Sequence, residues 1–466
     1  MGLRLHDTLR RETVEFEPLD PGRVRIYTCG PTVHDFTHIG NLRTFLFEDL
    51  LRRVLKHRGY DVIQVMNLTD VDDKIIRKAG QVGVSIGEYT APYKRAFFED
   101  LSTLRIDPAE EYPAATDHIE AMVGLVERLR ENGHTYTTDD GSIYFRISTF
   151  PDYGKLSRVD LSEMRDGARV DSDEYDKENP KDFALWKAAK AEEQAWDTSL
   201  GRGRPGWHIE CSAMSMALLG ESFDIHTGGV DNVFPHHENE IAQSEAATGK
   251  PFVRYWVHAE HLIVDGQKMS KSLGNFFTLR DLLDRGYRPR VIRYLLLSVH
   301  YRSQLNFTFA GLDQAAAALE RLADFTDRLR YLPAGAAPND ELAHRTQQAA
   351  AEFDSALDDD LNSSRALAAV FEWVRDVNRA LDAEQVTTAD RDHLGAFLDS
   401  FDSIYDVLTP DPREAEIGAD IEALISAREA ARKAGDYTRA DAIREELAGR
   451  GVVLEDTAQG VRWKKV

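Results

Sequence analysis

From residue 23 the chain alternates in strand fashion through Val24-Arg25-Ile26-Tyr27 and then turns at Cys29-Gly30-Pro31-Thr32. Leu42, Phe45, Leu46, Leu50 and Val54 recur at helical spacing until Gly59, and Val62, Ile63, Val65 and Met66 predict a second strand. Residues 23 to 67 are therefore expected to form a strand, helix, strand unit. Its parallel strands need a right-handed crossover, which is how a doubly wound sheet begins. Ligands of such sheets sit beyond the carboxyl ends of the strands, here Cys29 to Asn41 and Asn67 to Asp73.

Residues 121 to 194 are mixed and polar, punctuated by Gly133, Gly141, Pro151, Gly154 and Pro180, and read as an insertion between two halves of this domain. The second half begins near Trp196. From 311 onward the pattern is helical: Ala366, Val370, Trp373, Val377 and Leu381 mark one face, and Asp358-Asp359-Asp360 precedes a cap at Asn362 or Ser363. Pro410 and Pro412 separate a last segment, with a helical pair over Ile417 to Ala434 and Thr438 to Gly449. Short strands follow at Val452-Val453-Leu454 and Val461-Arg462-Trp463. The fold class is α/β: a doubly wound, Rossmann-like parallel-sheet domain with an insertion, then an α-helical bundle and a small mixed α/β C-terminal domain.

Length and composition refine this. A chain of 466 residues exceeds one compact core and should divide into roughly three to five units. No apolar run can span a bilayer, and Met1 to Phe16 has no signal-like apolar stretch, so a soluble, cytoplasmic protein without a membrane role is expected. Two cysteines, Cys29 and Cys211, exclude a disulfide framework and leave buried thiols, one bridge or a metal site. The net charge of -23 argues against a phosphate-rich partner for the chain as a whole, so local clusters matter more. Arg280, Arg285, Arg288, Arg290, Arg293 and Arg302 form one cluster, and the C-terminus from Arg428 to Lys465 holds another. Both also fit solvated helix faces interleaved with acids.

Chemistry concentrates in three places. His38-Ile39-Gly40-Asn41 stands four residues after His34, where a loop becomes a helix and unpaired N–H groups favour phosphate. Gly40 would let a flat nucleobase approach the backbone. Lys268-Met269-Ser270-Lys271-Ser272, between Gly266 and Gly274, carries two ammonium groups suited to charge that develops on transferring phosphates. His236 and Glu240, in Pro235-His236-His237-Glu238-Asn239-Glu240, share a helical face if the run is helical. With the two cysteines they make a set suited to zinc, although on spacing alone two buried cysteines beside a surface helix are the default reading.

The first two motifs, in this order, resemble the paired signatures of class I aminoacyl-tRNA synthetases. Tyr27 to Val33, Asn67 to Lys74, Asp182 to Lys187, Gly206 to Met214 and Phe234 to Glu240 are similar to the cysteinyl-tRNA synthetase family, from about residue 20 to the C-terminus. This resemblance implies that Cys29, Cys211, His236 and Glu240 bind one zinc ion, and that Gly30, Thr69, Trp207 and His208 face the amino acid. It implies ATP contacts by Thr32, His38, Gly40, Asn41, Asp231, Lys268, Met269, Ser270 and Lys271. Of these, His38, Asn41, Lys268 and Lys271 are the catalytic residues. Asn41 departs from the family's usual second histidine, yet its amide still donates.

A zinc ion prefers a thiolate, whereas a plain pocket separates near-isosteres such as cysteine and serine poorly. The implied reaction is two-step: cysteine attacks ATP, held with magnesium, and the cysteinyl group passes to the 3′ end of tRNA(Cys). A monomer is expected. The implied division is a catalytic first half at 1–120, the insertion at 121–194 and a second half at 195–265. The lysine loop and stem-contact region follow at 266–310, the bundle at 311–408, and an anticodon-binding domain at 409–466, where Trp463 is a candidate for base stacking. The same first half-reaction would serve a cysteine:amino-sugar ligase of mycothiol synthesis, and a non-catalytic RNA-binding relative would keep the sheet alone.

Overall fold

The structure is a computed structural model and describes residues 2–159, 179, 181–190, 193–335, 337–457 and 460–465. The side chains of 412–415, 455–457 and 462–465 lie outside this description, and so does the Trp463 ring. The chain forms two compact units. The first comprises Met1–Arg285, Leu296–Thr308 and Ser355–Ser364, and the second Gly286–Leu295, Phe309–Asp354 and Arg365–Val466.

In the first unit, four parallel strands make the central sheet: β1 (Arg23–Thr28), β2 (Asp61–Met66), β3 (Phe223–Gly229) and β4 (Val253–Ala259), in the order β4-β3-β1-β2. The chain winds outward in opposite directions from β1 and β3. The crevice at their carboxyl ends is thus the switch point where such sheets take ligands. Helix α1 (Ile39–His57) crosses from β1 to β2 as its apolar spacing demands, burying Leu42, Phe45, Leu46, Leu50 and Val54. It ends at Gly59, whose φ of 85° only glycine adopts freely. Helices α2 (Asp73–Val82), α3 (Ile86–Thr103) and α4 (Ile119–Glu131) follow β2, α5 (Trp207–Leu219) precedes β3, and α6 (Glu238–Thr248) joins β3 to β4. Tyr27, Val65, Ile209, Met214, Phe223, Ile241 and Trp256 belong to the core that binds sheet to helices.

Helix α1 also buries charge, which apolar spacing does not announce. The Arg43 guanidinium donates to the carbonyls of Glu260 (2.7 Å), His261 (2.9 Å), His300 (3.3 Å) and Ser303. Arg52 pairs with Glu110 at 2.6 Å. Glu48 lies 1% exposed and accepts from the Thr227 hydroxyl at 2.8 Å, beneath the strand pair that carries Cys29.

Between α4 and α5 the insertion builds an antiparallel sheet ordered Thr135–Thr137, Ile143–Phe145, Phe183–Ala188, Gly201–Pro205, Trp196–Thr198. Its pairing thus continues to Pro205, beyond Trp196, near which the second half of the domain was expected to begin. Downstream, Leu262–Val264 and Gln267–Lys268 form a hairpin whose turn residues Asp265 and Gly266 have φ of 49° and 74°. The acidic run before Asn362 acts as a pin. Asp360 accepts from the His6 N–H (2.8 Å), the Tyr301 hydroxyl (2.6 Å) and Arg302 Nε (2.6 Å).

The second unit is helical, with Phe309–Arg330, Asp340–Asp358, Ser363–Asp382 and Arg391–Tyr405 as its longer helices before Pro410. Arg290 and Arg293 are buried here, Arg293 Nε donating to the Tyr405 carbonyl at 2.6 Å, so these two members of the arginine cluster hold backbone and do not face solvent. Beyond Pro410, helices Pro412–Lys433 and Tyr437–Gly449 and a hairpin of Val452–Thr457 with Gly460–Lys465 pack Ile421, Ile425, Ile443, Leu447 and Val452 together. Among the described residues no helix is long and apolar enough to cross a membrane.

Candidate functional site

Two sets of side chains meet at the carboxyl ends of β1 and β3. Cys29 follows β1, Cys211 lies in the first turns of α5, and His236 and Glu240 come from the irregular turn Val233–His237 and the helix α6 that continues it. One donor atom from each of these four lies within 4.8 Å of every other. Cys29 and Glu240 satisfy the same limit with His226 and His237. The residues are therefore able to hold a metal ion.

Glu240 stands at the centre of the group. Its Oε1 lies 3.1 Å from His236 Nε2 without hydrogen-bond geometry, and its Oε2 lies 3.0 Å from His226 Nε2. His237 Nε2 is 3.3 Å from Cys29 Sγ, and its Nδ1 meets His258 Nε2 at 2.8 Å. The Trp207 ring, 43% exposed, stacks on His236 at 4.4 Å, and His208 Nδ1 is 2.9 Å from His236 Nδ1. Burial, reinforced by Cys211, pushes the Cys29 thiol well above its ordinary range. Burial also raises the Glu240 carboxyl to about 7 against the opposing pull of His236, and lowers His236 and His226 to about 3. The imidazoles are thus neutral with lone pairs available, while the thiol keeps a proton and the carboxyl is only partly ionised near pH 7; a metal displaces both protons.

The second set faces the start of α1. His38 caps this helix by accepting from the Asn41 N–H through Nδ1 at 3.1 Å. Burial lowers its pKa, so the ring is neutral and its single proton sits on Nε2, available to an acceptor such as a phosphate oxygen. Gly40 is close to the lysine loop: a Cβ there would come within 3.3 Å of Met269 Cε and 3.0 Å of the His38 ring. Lys271 forms an ion pair with Asp35, and Lys268 is exposed at the end of the hairpin. Asn275 braces the loop, accepting from the Ser270 N–H at 2.8 Å and donating to the Lys268 carbonyl at 3.2 Å.

Gly30 and Thr69 join the two sets. A Cβ on Gly30 would overlap the Asn67 carbonyl, so only glycine fits there. Its N–H donates to Asn67 Oδ1 at 2.9 Å, while Thr32 and Thr69 pair through their backbones. Asp231 is exposed in the short turn after β3. Sequence reasoning missed His226, His237, His258, Asp35 and Asn67. The repeated His236-His237 was a local signal, and Asp35 and Asn67 lie in the two segments expected beyond the strand ends; His226 and His258 join the site only through the sheet.

Comparison with known proteins bears on this geometry. A family model described as tRNA synthetases class I (C) catalytic domain matches residues 15–317, a DALR domain matches 352–409, and a cysteinyl-tRNA ligase anticodon binding domain matches 414–463. The chain is 54% identical to the cysteine–tRNA ligase of Solibacter usitatus (strain Ellin6076) and 51% identical to that of Koribacter versatilis (strain Ellin345), each over 100% of both chains. Mycobacterium tuberculosis methionyl-tRNA synthetase in complex with methionyl-adenylate shares the fold, with a TM-score of 0.61 at 15% identity over 83% of this chain and 88% of that one.

Proposed function

The chain belongs to the class I cysteinyl-tRNA synthetase family, and from that premise we propose that it selects L-cysteine with a zinc ion held by Cys29, Cys211, His236 and Glu240. The observation that carries this reading is the convergence of four buried or half-buried donors from three separate segments within 4.8 Å. Among the described residues Glu240 Oε1 has no hydrogen-bond partner, as an atom reserved for a metal would. Zinc bound there would hold the substrate sulfur as thiolate and bind a serine hydroxyl far more weakly.

The other residues orient and stabilise. Gly30, Thr69, Trp207 and His208 surround the amino acid, with Trp207 stacked to fix the His236 ring. Thr32, Gly40 and Asp231 seat the nucleoside of ATP. His38 Nε2–H and the Asn41 amide donate to its phosphates, and Lys268 and Lys271, with Met269 and Ser270 placing their loop, meet the charge that builds as the cysteine carboxylate attacks. Magnesium accompanies ATP. The cysteinyl group then passes to tRNA(Cys), recognised through the segment after 409. On this reading the enzyme works in the cytoplasm as a monomer.

The test is charging of total tRNA with cysteine and serine, with pyrophosphate exchange and metal analysis alongside. Charging with cysteine alone by a zinc-containing protein is expected; equal charging with serine or full activity without bound zinc overturns the zinc reading.

A further inference from the structure

The lysine loop is tied to the start of α1 on both sides. Downstream of the loop, the Ile39 N–H donates to the Phe277 carbonyl at 3.0 Å, and His38 and Thr278 form a backbone bridge. Upstream, the tie is Arg43, one helical turn after Ile39 and 2% exposed. One of its terminal nitrogens donates to the carbonyls of Glu260 (2.7 Å) and His261 (2.9 Å), the other to those of His300 (3.3 Å) and Ser303. These carbonyls sit at the roots of two parallel strands, Leu262–Val264 and Leu305–Phe307. The first of these strands pairs with Gln267–Lys268, which leads into Met269 to Ser272. The second carries Asn306, whose Oδ1 accepts from the Gly266 N–H at 2.8 Å and so holds the hairpin turn.

A buried guanidinium bonded to carbonyls through both terminal nitrogens acts on the backbone and not on substrate. Its planar fork fixes direction as well as distance, which the single ammonium of a lysine does not reproduce. The helix that anchors it is the one that His38 caps and on whose first turn Asn41 stands. We propose that Arg43 is a positioning residue for the activation step: it holds the two strands that carry the lysine loop against α1, so that Lys268 and Lys271 meet the same phosphates as His38 and Asn41. This rests on the reading of those four residues as ATP contacts.

The test is cysteine-dependent pyrophosphate exchange by Arg43→Lys, alone and combined with Lys271→Ala. Arg43→Lys should lower kcat about 100-fold, the effect of a small misplacement of catalytic groups, while KM for cysteine and zinc content stay near their wild-type values. If the guanidinium acts through the loop, the two substitutions are not independent: in the Lys271→Ala background the further loss from Arg43→Lys should shrink to below about tenfold. Losses that multiply in full, a rise in KM for cysteine in place of a fall in kcat, or an unchanged kcat overturns the proposal. If Arg43→Lys does not fold, Asn306→Ala decides it, because this exposed residue steadies the same hairpin. It should lower kcat about tenfold and show the same lack of independence from Lys271→Ala. Lys271→Ala with wild-type exchange would defeat the underlying reading of the lysines, whereas a slow Lys271→Ala whose loss multiplies with that of Arg43→Lys defeats the positioning role alone.

Discussion

Replacing Glu48 by glutamine should make the catalytic unit more stable, and increasingly so as pH rises. Glu48 is almost wholly buried, one oxygen accepts from Thr227, and the other has no partner among the described residues. Burial raises its pKa from 4.5 to about 8. The folded state therefore binds a proton that the unfolded chain releases. Stability from this group is full below pH 4.5 and is lost as pH rises through the folded pKa near 8. At about 1.4 kcal/mol per pH unit, wild type gives up roughly 3 kcal/mol by pH 7 and under about 1 kcal/mol at pH 5. Glutamine keeps the oxygen for Thr227 and has no proton to release. The assay is denaturant unfolding of both proteins from pH 5 to 8, followed by tryptophan fluorescence, to which Trp186 and Trp256, buried in this unit, contribute. The difference between the two should widen by roughly 3 to 4 kcal/mol over that range. Parallel profiles would refute the reasoning.

Other consequences are equally direct. Cys211→Ser should lower zinc content and cysteine affinity together; full zinc retention with normal charging removes Cys211 from the site. Lys271→Ala should slow pyrophosphate exchange about 100- to 1000-fold, the cost of one preorganised group that meets developing charge, with little change in KM for cysteine. An exchange rate within about threefold of wild type would deny the lysine that role. Arg43→Leu leaves four carbonyl oxygens without their donor and should cost about 3 to 5 kcal/mol in the same unfolding titration. A loss below about 1 kcal/mol would mean that water replaces the guanidinium.

What could be read beforehand was local. The β1, α1, β2 unit follows from Val24, Ile26 and the Leu42 to Val54 repeat, because one apolar face at one period admits one packing. Arg43, Glu48 and Arg52 on that same helix were illegible, since a charged residue reads as a surface residue until its partners are known, and these come from residues 64, 110, 227 and 260 to 303. The run Asp358 to Asp360 looked like the approach to a helix cap for the same reason; His6, Tyr301 and Arg302 give it a different task. Likewise Arg293 suggested phosphate and instead holds the Tyr405 carbonyl. At the site, residue types singled out the metal set and the lysine loop, and family resemblance gave them their roles. The contact of Met269 with Gly40 and the ion pair of Lys271 with Asp35 arise only when the hairpin at Asp265-Gly266 folds beside the start of α1. The match of an anticodon binding domain to 414–463 leaves the sugar-ligase alternative without support.

The donors at residues 29 and 211 stand on either side of the whole five-stranded insertion. A metal tied to both would turn the intervening chain into a closed ring with the insertion as its circumference. Closure entropy grows only with the logarithm of ring size, so doubling the ring costs about 0.6 kcal/mol. Segments can therefore be spliced into or out of the ring at small thermodynamic cost, while the two cysteines keep their separation. Ring length therefore weighs little on the site, whereas Phe183, edge-on to His208, and Gly154, whose N–H donates to Glu238, tie the insertion to it by contact.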